Sequence, residues 1–80
     1  MLEKVITIIK DILDTEESMN GETHLLDDLA MDSISMLYLQ IAIEDKFNVK
    51  FDPLEDEFEF IFSNINNLCV AINKKIIGVV

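Results

Sequence analysis

Eighty residues leave room for one domain, spanning 1–80, because a chain this short buries only about 60% of the surface its unfolded form exposes. Half the residues are hydrophobic, 28% are charged, and only two glycines and one proline interrupt them, which excludes a disordered chain and favours a folded helical monomer. Sixteen acids against six lysines and no arginine give a formal charge of −10, which repels nucleic-acid phosphates and anionic membrane surfaces.

The lone Cys69 has no internal disulfide partner, so a reducing cytoplasm suits the chain. Glu3, Lys4, Lys10 and Asp11 break the N-terminal apolar pattern, so no secretory signal is expected, and no apolar run approaches the ~18 residues of a membrane span. Fifteen of the sixteen acids fall in residues 11–59, so a basic partner is expected at the middle of the chain. The plainer reading of that acidity is solubility alone.

Leu2, Val5, Ile6, Ile9, Ile12 and Leu13 recur at helical spacing and predict a first helix over 2–14. From Thr15 to Asp32 the periodicity gives way to a polar stretch containing Leu25, Leu26 and Leu29, a long loop that these leucines are expected to pin to the core. Asp32 stands where an N-cap belongs, ahead of a second helix running to Phe47. Met36, Leu39, Ile43 and Phe47 cluster on one side of it, and Ile34, Leu37 and Ile41 on nearly the opposite side. A small single-core domain has too few elements to surround a helix, so one stripe should face solvent. The stripe ending at Phe47 is the better core candidate, because the other is bordered by Glu44 and Asp45 and shares its side with Ser33. An exposed stripe marks a binding surface; a homodimer, or the long loop folded over it, would also hide it.

Asn48-Val49-Lys50-Phe51 alternates polar and apolar over too short a span to build a sheet, and Asp52-Pro53 opens a turn. Residues 54–62 predict a short third helix, and Ser63 or Asn64 can cap a fourth whose apolar face is Ile65, Leu68, Cys69, Ile72 and Ile76, ending before Gly78. Cys69 on that face reads as a small core residue. The expected fold is an all-α four-helix bundle with a long loop between the first two helices and a short third helix.

Catalysis by this chain alone is not expected. A triad hydrolase needs an activated nucleophile with a base and an orienting acid, whereas the single His24 sits in the long loop, where a solvated role is expected. There is no nucleophile elbow or glycine-rich phosphate loop, no Cys/His set for zinc, and no central glycine among Asp52, Asp56 and their neighbours for a calcium loop. What remains is Leu29-Ala30-Met31-Asp32-Ser33-Ile34, which places a hydroxyl at a helix start, where the partial positive charge favours an attached phosphodiester. By itself Asp-Ser is an ordinary capping pair.

The chain resembles the acyl carrier protein family from end to end: a first helix, a long loop ending in Asp-Asp-Leu-x-x-Asp-Ser, an acid-edged second helix, a short third and a final fourth. The resemblance implies that Ser33 receives a covalent 4′-phosphopantetheine from coenzyme A through a phosphopantetheinyl transferase, with Asp32 helping that enzyme bind its metal and substrate. It also implies that Ile34, Leu37 and Ile41 face partner enzymes, with Glu44 and Asp45 as acidic contacts for the basic patches of acyl-loading and acyl-processing enzymes. By the same resemblance the core between the second and last helices opens to an acyl chain, with Leu39, Ile43, Phe47, Ile65 and Leu68 as liners, although ordinary packing explains those residues equally well.

Three departures from the family pattern stand out. Ala30 replaces the usual glycine, so the turn before Asp32 is expected to keep a negative φ; Ser35 and Tyr38 replace frequent acids; and the stretch from Phe51 to Ile65 is longer than usual. They favour a specialised carrier. The expected function is to hold acyl intermediates as thioesters in fatty-acid, polyketide or related biosynthesis. The alternatives are an aminoacyl or peptidyl carrier serving an adenylating enzyme, and an unmodified helical interaction module.

Overall fold

The computed structural model describes residues 1–78, so Val79 and Val80 of the expected 1–80 domain lie outside the described residues. Among the described residues four helices follow one another: α1 (Leu2–Leu13), α2 (Ser33–Phe47), α3 (Phe58–Ile61) and α4 (Ile65–Ile76). The α1 helix packs on α2 and α4, and α3 packs on α4. Between them lie Val5 and Ile9 from α1, Leu39 and Ile43 from α2, and Ile65, Leu68 and Ile72 from α4, all fully buried.

Each helix stops for a local reason. Asp14 and Asn48 take left-handed conformations (φ 51° and 55°) after α1 and α2, and each turns its N–H back onto a carbonyl of the last turn. The start of α4 is capped by Asn64, whose Oδ1 accepts from the Asn67 N–H at 2.8 Å. Cys69 is buried on the core face of α4, as expected, whereas Ile76 is half exposed and not part of that face.

The long loop is sewn to the start of α4. Gly21 and Thr23 carbonyls accept the N–H groups of Asn66 (2.8 Å) and Ile65 (3.2 Å), and the Leu25 N–H donates to the Ser63 carbonyl at 3.1 Å. Two helix-start donors that the helix itself cannot satisfy thereby find partners. Gly21 allows this closeness, since a Cβ there would overlap the end of the Asn66 side chain and force it to turn aside. Leu25 is fully buried and Leu29 partly so, as expected; Leu26, expected to join them, is exposed.

The third helix is shorter than the expected 54–62. Pro53 follows Asp52, whose Oδ1 accepts the Leu54 N–H at 2.8 Å and whose carbonyl accepts the Asp56 N–H at 2.8 Å. These bonds fold 52–56 into a turn that competes with helix, so α3 begins only at Phe58 and Leu54 projects into solvent.

The two stripes of α2 are divided as expected. Leu39 and Ile43 are completely buried with Met36 and Phe47 packed against them, while Ile34, Leu37 and Ile41 are 63%, 52% and 51% exposed. Ile43→Ala should therefore cost about 2–5 kcal/mol in chemical denaturation, and Ile41→Ala no more than about 0.5 kcal/mol. The reverse order would mean that the stripes are exchanged.

Candidate functional site

The site begins with the turn that delivers Ser33 to the start of α2. Residues 24–31 coil back on themselves: the Ala30 N–H donates to the Leu26 carbonyl at 2.9 Å, and the Met31 N–H reaches the Leu25 carbonyl at 3.0 Å. The first of these is the 5→1 bond of a left-handed cap, whose donor residue itself takes positive φ. Ala30 is that residue, with φ 53°, so the expectation of a negative φ is wrong. The constraint is tertiary: only this reversal sends Met31 into the core at 1% exposure while leaving Asp32 outside to cap.

Asp32 adopts extended backbone, and its Oδ1 accepts the Ser35 N–H at 2.8 Å. The Ser35 backbone N–H, helped by the Ser35 hydroxyl, holds the Asp32 carboxyl below its ordinary range. The cap is thus ionised at neutral pH, and its contribution is lost only as pH falls through that lowered value. Ser33 is the first residue of α2 and is exposed. The helix N-terminus there favours an anion, while the Asp32 carboxylate beside it opposes one.

An open groove of about 660 Å³ runs from Ser33 between α2 and α3. Met36, Leu37 and Gln40 form its α2 wall, Phe58 of α3 and Phe62 just after that helix its α3 wall, and His24, Leu26 and Asp27 its loop edge. Leu39, Ile43, Ile65 and Leu68, expected as liners, are fully buried in close-packed core, and neither they nor Phe47 line this groove. The groove liners were missed because no periodicity joins Leu26, in a polar loop, to phenylalanines more than thirty residues later. His24, expected to be merely solvated, lies on the rim, with its N–H donating to Asp28 Oδ2 at 2.8 Å and its Nδ1 3.9 Å from Asp27 Oδ2.

The exposed stripe continues from Ser33 along α2 through Ile34, Leu37 and Ile41, with Tyr38 also exposed among them. Asp45 is exposed beyond its far end. Glu44 differs from the simple acidic contact expected of it: it is half-buried, and its Oε2 accepts the Phe51 N–H at 2.9 Å, tying the segment after α2 back to the helix.

Comparison with known proteins agrees with this arrangement. The family described as phosphopantetheine attachment site matches residues 3–71. Among similar proteins is an acyl carrier protein of Cyanidium caldarium, 32% identical over 76 residues that cover 84% of this chain and 88% of that protein. The chain belongs to the phosphopantetheine-binding acyl carrier protein family, whose members carry cargo on a covalent 4′-phosphopantetheine rather than catalyse. An exposed hydroxyl at a helix start, opening onto an apolar groove, fits that group.

The left-handed Ala30 carries a Cβ penalty of roughly 1–2 kcal/mol, partly offset because alanine restricts the unfolded chain more than glycine does. Ala30→Gly should raise stability by about 0.5–1 kcal/mol in urea denaturation. A loss of stability would show that the turn does not need this conformation.

Proposed function

We propose that the chain acts as one carrier domain over 1–80, a cytoplasmic monomer that does no catalysis itself and holds acyl intermediates for enzymes of fatty-acid, polyketide or related biosynthesis. Ser33 is the attachment residue in this reading. The observation that carries it is the exposure of Ser33 as the first residue of α2, with an apolar groove on one side and an apolar stripe along the same helix. When bound, the arm supplies a thiol that carries the acyl group as a thioester.

The roles of the chain's own residues follow from their positions. The Ser33 hydroxyl forms the phosphoester link. Asp32, kept ionised by Ser35, remains available to the metal that the transferase brings. Ile34, Leu37 and Ile41 give a docking partner apolar contact, and Asp45, with the half-buried Glu44 beside it, attracts its basic residues. Among the described residues no helix is long and apolar enough to cross a membrane.

A second reading has one observation in its favour. The first turn of α2 carries no acid, and charge on that helix begins only at Glu44. A face so weakly charged near Ser33 also suits an aminoacyl or peptidyl carrier. Competitive loading by acyl and aminoacyl ligases would separate the two.

Incubation with coenzyme A and a promiscuous phosphopantetheinyl transferase should add one arm to the parent protein and none to Ser33→Ala, read by intact mass. A gain that persists in Ser33→Ala would move the attachment elsewhere, and no gain in the parent would favour an unmodified interaction module.

Docking is best tested at Asp45, because Glu44→Lys would also break the bond to Phe51. Asp45→Lys should slow loading through association and flatten its salt dependence relative to the parent, whereas Ile41→Ala should slow it at every ionic strength alike. Parent rates in both variants would remove this face from the docking surface.

A further inference from the structure

The turn that replaces the first half of the expected third helix is bound to the end of α4. Asp56 Oδ2 lies 2.9 Å from Lys75 Nζ and also accepts the Asp52 N–H. The pair is largely shielded, with side chains 18% and 24% exposed. Burial opposes ionisation of Asp56, but the Asp52 N–H and the Lys75 ammonium together outweigh it and hold the carboxyl below its ordinary range.

The same ammonium stands 5.2 Å from the centre of the Phe51 ring, a distance that allows cation–π attraction. Phe51 in turn meets Phe62 edge-on at 5.4 Å and Phe58 at 6.0 Å, and its N–H is held by Glu44 of α2. One ring thereby joins α2, α3 and α4, and the two rings it touches are the α3 wall of the groove beside Ser33. The α3 helix has four residues and no side-chain cap at its start, so it cannot hold its own position.

We propose that Lys75 and Asp56 are positioning residues for the carrier reaction: their ion pair fixes α3 through Phe51 and so sets how far Phe58 and Phe62 shelter a thioester beside Ser33. This rests on the reading of Ser33 as the attachment site. Neither residue reaches the groove itself; both act through the aromatic rings. Loss of the pair should free α3 to move outward while the α1, α2 and α4 core stays intact.

The test uses the full chain in unloaded and octanoyl-loaded forms. Lys75→Met keeps the apolar stem over Phe51 and removes the charge, Asp56→Asn keeps an acceptor for the Asp52 N–H, and Lys75→Arg restores the cation. Lys74→Met removes an equal charge from the exposed neighbouring lysine. In the unloaded protein, amide exchange at Ile61 and Phe62 should quicken roughly two- to fivefold in Lys75→Met and Asp56→Asn, as loss of a shielded ion pair implies. Lys75→Arg and Lys74→Met should match the parent. In the loaded protein, cleavage of the thioester by hydroxylamine should rise in the same order.

Parent exchange rates in both pair-breaking variants would overturn the proposal. Faster exchange with unchanged thioester cleavage would also overturn it, leaving an ion pair that holds α3 without serving the cargo. If Ser33 takes no arm, the attachment reading and the positioning role fall together, while the exchange rates still show whether the pair pins α3.

Discussion

Everything in this structure depends on the burial of one side of a helix that is apolar on two. Leu39 and Ile43 fill the space between α1 and α4, where Val5, Ile9, Ile65, Leu68 and Ile72 complete a core with no exposure to water. Each such side chain contributes about 1.5–3 kcal/mol relative to exposure. Among the described residues there is no further helix long enough to cover Ile34, Leu37 and Ile41, so the packing that creates the core also leaves a second apolar stripe in solvent. Because the helix begins at Ser33, that stripe and the exposed hydroxyl are parts of one rigid element. On the proposed reading, docking and attachment are then coupled without any moving part.

The rest of the chain serves to place the two ends of that helix. At the start, a turn that closes on a left-handed Ala30 buries Met31 and leaves Asp32 free to cap. The loop before it supplies carbonyls to the first donors of α4, so neither the loop nor that helix end has its hydrogen bonds complete without the other. At the far end, Asn48 stops α2 and Glu44 holds the chain as it leaves, which brings Phe51 under the aromatic cluster. The groove beside Ser33 is what remains between this cluster and the helix. It lies outside the close-packed core, so its shape can change at less cost than opening the core would require.

The features legible in the sequence are those that depend on near neighbours in the chain. Asp32 as a cap, the end of α2 at Phe47, and the division of its stripes all follow from residues within one or two helical turns. What was not legible depends on distant partners. Ala30 offers no sign of positive φ, because the demand comes from where Met31 and Asp32 must go. Leu26 looks like its neighbours Leu25 and Leu29, yet only it is turned outward to the groove. The acids at 55–59 resemble a helical lead-in, and it is the side chain of Asp52, together with Lys75 from the end of α4, that makes a turn of them. Glu44 reads as a surface acid until Phe51 is seen to donate to it.

The central claim is that the Ile34, Leu37 and Ile41 side of α2 is open in the free protein and covered by the enzyme that acts at Ser33. Methyl spectra recorded with a soluble paramagnet report this directly. In the free protein the signals of Ile34, Leu37 and Ile41 should broaden while those of Leu39 and Ile43 stay sharp; on adding the phosphopantetheinyl transferase the first set should recover. Shielding of the first set before any partner is added, or broadening that the transferase leaves unchanged, would contradict the account.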